Sequence, residues 1–140
     1  MFPALRVIAV LHALSLILQP ILAGFFLSGH DNLIDLHATN GMTLVGLCLV
    51  QTVLSVVLWR KKVIRRQIFT QSLVILVLEV VQLTVGFSHT MWIHIPLGTL
   101  LMVGTAMVVN QIMGKTSVPA TQLGPAVLAG VPSADAEAAE

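Results

Sequence analysis

Four long apolar segments dominate this chain of 140 residues. They cover residues 7–27, 37–59, 67–87 and 94–113, and each has the roughly 20 residues that an α-helix needs to cross the hydrocarbon core of a bilayer. Only 9% of the residues are charged, against roughly 25% in a soluble domain, so the chain cannot cover a water-facing surface. The sequence therefore predicts an all-α integral membrane protein with four transmembrane helices. The first segment is too long for the apolar core of a signal peptide, and we expect it to be a retained helix.

The basic residues predict the orientation in the membrane. All seven Lys and Arg residues lie on one side of the spans: Arg6, Arg60, Lys61, Lys62, Arg65, Arg66 and Lys115. The two loops on the other side, residues 28–36 and 88–93, contain no Lys or Arg. By the positive-inside rule, the basic side is cytoplasmic, so we expect both termini in the cytoplasm and the spans in the cell (plasma) membrane.

The end of the chain differs in composition from the spans. Residues 116–140 are rich in Pro, Ala and Gly and end in acidic residues. Such a segment cannot bury a core. We expect a transmembrane domain over residues 1–115 and a flexible cytoplasmic tail over residues 116–140.

Charge and cysteine content exclude several classes of function. The net charge is +1, and the chain has no basic block with interleaved aromatic residues, so nucleic acid is not an expected partner. The single cysteine, Cys48, excludes a disulfide scaffold and a zinc site built on cysteines.

The two halves of the chain share a pattern at the predicted outer ends of the helices. In each half, a Gln and a Gly-Phe pair end one helix, and a His-x-x-x-Gly opens the next. The residues are Gln19, Gly24, Phe25, His37 and Gly41 in the first half, and Gln82, Gly86, Phe87, His94 and Gly98 in the second. We expect two tandem helix-hairpin repeats, related by a pseudo-twofold axis along the membrane normal and packed as a four-helix bundle.

This pattern predicts a haem site. A twofold axis would place His37 and His94 at the same depth, facing each other across the bundle. Gly41 and Gly98 follow one turn deeper on the same helix faces, which would leave room for a flat, bulky group. Two opposed imidazoles are the axial ligands of a six-coordinate haem. We therefore predict one haem b with His37 and His94 as its iron ligands, the alternative being interfacial anchors and close helix packing at the glycines.

Glu79 is the one carboxylate predicted to lie inside a span, and it shares a helix face with Gln82. Ionisable groups within a membrane are costly and usually functional. We expect Glu79 and Gln82 to hydrogen-bond the cofactor, or Glu79 to relay a proton, the alternative being a structural hydrogen bond from Glu79 to Gln51. We expect His12 to be an internal hydrogen-bonding residue.

At these residues the sequence resembles one four-helix half of haem A synthase, over residues 4–113, and it is similar to small four-helix bacterial membrane proteins of uncharacterised function. In that family a histidine opens the second and fourth helix of each half, and the histidines of one half bind a b-type haem. His37 and His94 stand at those positions, and Gln19 with Gly24 matches the Gln-x-x-x-x-Gly of the family's first helix.

Three positions depart from the family pattern. The catalytic half of haem A synthase has a carboxylate where this chain has Ile34, and the histidine is commonly followed by Arg where this chain has Ala38. The family's outer cysteine pair is also missing. The resemblance therefore implies a haem-binding, cytochrome b-like protein without haem A synthesis.

The sequence thus favours an electron carrier or a haem-handling protein over an enzyme, with quinone or a membrane redox protein as its partner and no catalytic residue. Two other functions stay open. One is a haem-free accessory or structural subunit of a larger membrane complex. The other is a transporter or channel that uses Glu79 as its proton or cation site.

Overall fold

The computed structural model describes residues 1–114, and the regular secondary structure within that range is entirely α-helical. The four helices are α1 (Phe2–Leu27), α2 (Leu33–Arg60), α3 (Arg66–Phe87) and α4 (Met91–Met113). All four are long and apolar enough to cross a membrane, which confirms the prediction of an all-α, four-helix membrane protein. The predicted tail, residues 116–140, lies outside the described residues.

The helices begin earlier than the predicted spans. α1 starts at Phe2, with Pro3 in its first turn, where a proline lacks only an N–H that would have no helical partner anyway. α2 starts at Leu33 and α4 at Met91, so each includes residues ahead of its histidine. The apolar pattern marks the part of a helix that lies in lipid, whereas the helix itself continues into the interface. His37 and His94 therefore lie in the first two turns of their helices.

The helices form a closed ring in chain order, because consecutive helices pack together and α1 packs against α4. The short loops make sequential helices antiparallel neighbours, so α2 and α4 lie diagonally across the bundle. Loops 28–32 and 88–90 lie at one end, which we call the two-loop end. Residues 60–66, with five Lys and Arg residues, mark the other end, which we call the basic end.

The interior of the bundle contains polar side chains among its apolar ones, and the outer surface is apolar. Within residues 1–114, the buried polar or charged side chains are His12, Gln51, Thr52, Ser55, Ser72, Glu79 and Thr105. Leu, Val and Ile side chains on all four helices point outward and are exposed, as expected for a surface that faces lipid. Because lipid tails are as apolar as these side chains, the helices are held together by close packing and interhelical hydrogen bonds.

Apolar packing is concentrated at the basic end. Leu5, Ile68, Val108 and Ile112 are almost completely buried there, one or two from each of α1, α3 and α4. The Arg6 guanidinium donates through Nε to the Ile112 main-chain oxygen, 3.3 Å away, and so links α1 to α4. The polar contacts described below lie in the middle of the bundle and at the two-loop end.

Candidate functional site

The two predicted histidines meet at the two-loop end of the bundle. The ring centroids of His37 on α2 and His94 on α4 are 6.2 Å apart, with an angle of 62° between the ring planes. Both side chains are half-buried. The structure therefore brings together, across the diagonal of the bundle, two imidazoles that are 57 positions apart in the sequence.

Each imidazole is held by the helix that precedes it. Nδ1 of His37 lies 3.2 Å from the main-chain oxygen of Gln19, and Nδ1 of His94 lies 3.1 Å from the main-chain oxygen of Gln82. The tautomer that carries its proton on Nδ1 donates to these oxygens and leaves Nε2 with a free lone pair. A metal-binding histidine is commonly oriented in this way, by a hydrogen bond from its other ring nitrogen.

The side chains of the same glutamines form hydrogen bonds with the backbone next to each histidine. Nε2 of Gln82 donates to the main-chain oxygen of His94 at 2.8 Å. With the Gln19 amide oriented to satisfy its neighbours, its nitrogen lies 3.2 Å from the main-chain oxygen of His37, and its oxygen accepts from the Gly41 N–H at 3.0 Å. That nitrogen also lies 2.9 Å from Nδ1 of His37, which would favour the other tautomer. We assign the Nδ1–H tautomer to His94 from its main-chain contact, whereas Nδ1 of His37 has both a donor and an acceptor beside it.

The glycines beside the histidines make room for these glutamines. A Cβ added at Gly41 would lie 3.0 Å from the Gln19 side-chain amide, and one at Gly98 would lie 3.0 Å from that of Gln82. The glycines therefore admit the glutamine side chains, and the expectation that they also clear space for a flat cofactor stays a prediction.

Gly86 has a closer contact than either of these glycines. A Cβ at Gly86 would come within 2.8 Å of Cε1 of His94, so the imidazole lies directly against the α3 backbone. The Gly-Phe pair of the sequence pattern contains this residue, but nothing in the pattern shows that it touches the histidine.

Glu79 takes part in a second group of polar side chains, which we call the inner cluster: His12, Cys48, Gln51, Ser72 and Glu79. Nε2 of His12 lies 2.6 Å from Oε1 of Glu79, and Nδ1 of His12 lies 3.3 Å from Oε1 of Gln51. His12 is thus the internal hydrogen-bonding residue that the sequence predicts. The carboxylate of Glu79 contacts this imidazole, a pairing that the sequence pattern does not indicate.

The rest of the inner cluster connects α2 to α3. Nε2 of Gln51 donates to Oγ of Ser72 at 3.2 Å, and the Cys48 thiol approaches the Ser72 main-chain oxygen at 3.8 Å. All five side chains are buried. The inner cluster is therefore a continuous network contributed by α1, α2 and α3.

The inner cluster lies deeper in the bundle than the histidine pair. His12 precedes Gln19 by two turns of α1, about 10 Å along the helix axis. Between the two levels, Oγ of Ser15 donates to Oδ1 of Asn40 at 2.7 Å, and Nδ2 of Asn40 donates to the Ser15 main-chain oxygen at 2.8 Å. Polar side chains thus follow the interior from the two-loop end toward the basic end.

The two remaining histidines lie apart from both groups. His30 and His89 are exposed in the loops at the two-loop end, and Nδ1 of His30 bonds the Phe25 main-chain oxygen at 3.2 Å. Both are therefore loop residues with exposed side chains.

Comparison with known proteins gives no relative from which a function could be transferred. No protein-family model, curated protein or solved structure matches this chain.

Proposed function

We propose that this protein is a small b-type membrane cytochrome that binds one haem between His37 and His94 and serves in electron transfer or haem handling. The observation that carries the proposal is the pair of imidazoles at the two-loop end. They come from diagonally opposed helices, their centroids are 6.2 Å apart, and each has its Nδ1 next to a main-chain oxygen.

The separation of the rings fits two bonds to one metal. Two nitrogen–metal bonds of about 2 Å, together with about 1 Å from each nitrogen to its ring centre, span about 6 Å. Imidazole nitrogens are also common axial ligands of haem iron. The spacing and the donor chemistry of this pair therefore suit a bis-histidine haem.

The surrounding residues would have separate roles. Gln19 and Gln82 fix the orientation of the two imidazoles, and Gly86 lets the ring of His94 lie against α3. Glu79 and the rest of the inner cluster lie nearer the basic end than the two histidines. They would influence the haem through the polar side chains between the two levels. A haem with two axial protein ligands supplies one-electron chemistry and has no open iron position for a substrate, which favours a carrier over an enzyme.

The proposed orientation follows from the charges. The basic end would face the cytoplasm and the two-loop end the outside of the plasma membrane, so the haem would lie near the outer leaflet. The matching contacts of Gln19 with His37 and of Gln82 with His94 support a chain built from two tandem hairpins. Quinone or a membrane redox protein would be the electron partner.

The test is a visible absorption spectrum of the detergent-purified protein, oxidised and then reduced with dithionite. We expect a sharp α-band and a shifted Soret band on reduction. Replacement of His37 or His94 by Ala should abolish the low-spin spectrum, because each removes an axial ligand. His30→Ala and His89→Ala are matched controls at the same end of the bundle, and they should retain it.

A colourless protein, even after expression with a haem precursor, would contradict the proposal, and so would a spectrum that survives both axial substitutions. A colourless protein that co-purifies with other membrane subunits would instead support the alternative of a haem-free accessory subunit.

A further inference from the structure

The inner cluster contains three side chains of the types that bind metals, and none of them is a ligand of the proposed haem. Nitrogen, sulfur and oxygen atoms of His12, Cys48 and Glu79 all lie within 4.8 Å of one another, and all three residues are buried. They come from α1, α2 and α3, respectively. We propose that these residues form a binding site for one divalent late transition-metal ion, with zinc as its typical occupant.

The donor set suits such an ion. Zn²⁺ takes imidazole nitrogen, thiolate sulfur and carboxylate oxygen at about 2.0–2.3 Å. Metals that prefer all-oxygen sites, such as Mg²⁺ and Ca²⁺, would find one carboxylate and no second hard ligand among the three residues. The mixture of soft and intermediate donors therefore selects for the zinc class.

The imidazole of His12 is already oriented as a metal ligand would be. Its Nδ1 faces the Gln51 amide oxygen at 3.3 Å, and Gln51 is in turn held by the hydroxyl of Ser72 at 3.2 Å. A hydrogen bond from the second ring nitrogen to an oxygen fixes the tautomer and directs the other nitrogen to the metal. Here Nε2 is the nitrogen that points to Glu79.

Glu79 provides a second and independent sign of a ligand. Its side chain is almost completely buried, with a residue exposure of 4%, yet its Oε2 atom has no hydrogen-bond partner. A buried oxygen without a partner is costly, and such an atom in a native structure calls for an explanation. A metal ion bound at the cluster would satisfy the carboxylate.

Charge balance permits the ion to enter a medium of low dielectric constant. Without metal, a neutral thiol and a single proton shared by His12 and Glu79 leave the cluster with no net charge. Binding of a divalent ion would release two protons, one from the Cys48 thiol and one from the His12–Glu79 pair. The thiolate and carboxylate then cancel the two positive charges, so an uncharged cluster is exchanged for an uncharged complex.

The required movement is small. Tetrahedral zinc with these ligands places neighbouring donor atoms about 3.3–3.8 Å apart. The hydrogen bond between His12 and Glu79, now 2.6 Å, would open as the ion replaces the shared proton. The widest separation among the three ligand atoms, within 4.8 Å, would close by about 1 Å, which rotations of the side chains supply.

The sequence could not indicate this site. The single cysteine argued against a zinc site built on cysteines, and the three ligands have no motif spacing because each lies on a different helix. Only the packing of α1, α2 and α3 brings them together.

The proposal can be tested with Co²⁺ as a spectroscopic probe of the full-length protein in detergent. Because the cluster contains the chain's one cysteine, a thiolate-to-cobalt charge-transfer band can come only from Cys48. We expect metal-stripped protein to bind about one Co²⁺ per chain with this band, and Zn²⁺ to displace it. Cys48→Ser should lose the band, and Glu79→Gln should weaken binding at least tenfold. Gln51→Ala should weaken binding about 10–100-fold, because it frees the imidazole of His12.

The matched control is Ser55→Ala. Ser55 is buried two turns from Cys48 on the same face of α2, and this variant should bind Co²⁺ as the parent does. Circular dichroism of each variant checks that the helices are retained. The titration is repeated in the His37→Ala/His94→Ala chain, where no haem site exists, and the same band and stoichiometry are expected there. The proposal is overturned if the folded parent shows no thiolate band with excess Co²⁺, or if the band depends on the outer histidine pair. These outcomes are independent of whether the protein binds haem.

Discussion

At the scale of single residues, Gly86 is the position where the smallest change should have a large effect. We predict that Gly86→Ala destabilises the protein by about 1–3 kcal/mol, the usual cost of overpacking a tight contact. The added methyl would lie 2.8 Å from Cε1 of His94, so the imidazole must leave its place against α3. The measurement is the thermal unfolding midpoint in detergent, followed by circular dichroism.

Gly24 stands at the corresponding position of the first half and is the control. A Cβ there meets nothing within 4 Å, and Ala favours a helix more than Gly does. Gly24→Ala should therefore leave the midpoint unchanged or raise it slightly. Equal midpoints for the two variants would contradict the close contact of Gly86 with His94.

The residue scale also shows where prediction from the sequence stops. Helical periodicity and the repeated pattern placed His37 opposite His94, since both follow from the positions of residues on their own helices. They could not pair Glu79 with His12. That contact depends on the axial offset between α1 and α3, which are not consecutive in the chain and whose relative height is set by packing alone.

At the scale of helices, Gly41 and Gly98 set the close approach within each hairpin. We predict that Gly41→Leu and Gly98→Leu each destabilise the bundle by about 1–3 kcal/mol, because the larger side chain must displace the Gln19 or Gln82 amide from its contacts with the next helix. Gly46→Leu is the control on α2, since a Cβ there meets nothing within 4 Å. Chemical denaturation in mixed micelles measures the free energy of unfolding of all three variants. A loss of stability in Gly46→Leu as large as in Gly41→Leu would contradict a close helix approach at Gly41.

The existence and type of all four helices could be predicted because each apolar run is long enough to span a bilayer. The residues at which the helices begin could not be predicted in the same way. Leu33 and Met91 begin helices ahead of the apolar runs, where the backbone can form helical hydrogen bonds whatever the hydropathy of the side chains.

At the scale of the whole molecule, the distribution of charge makes a prediction about sidedness. In a Cys48→Ala background, cysteines introduced at Ser28 and Ser88 should react with a membrane-impermeant maleimide added to intact cells. A cysteine introduced at Lys62 should react only after the membrane is opened, because the proposed orientation puts the basic end in the cytoplasm. Labelling of Lys62→Cys in intact cells would reverse the proposed orientation.

The inner cluster joins the two hairpins, so the order in which the hairpins are synthesised affects when its contacts can form. His12 bonds Gln51 within the first hairpin and Glu79 in the second. Translation proceeds from the N-terminus, so the first hairpin is already made when α3 leaves the ribosome. The one buried carboxylate of the described residues is therefore made after the hairpin that contains its partner His12. Glu79 can then pair with His12 as soon as α3 enters the bilayer, and need not wait in hydrocarbon for a partner that is made later.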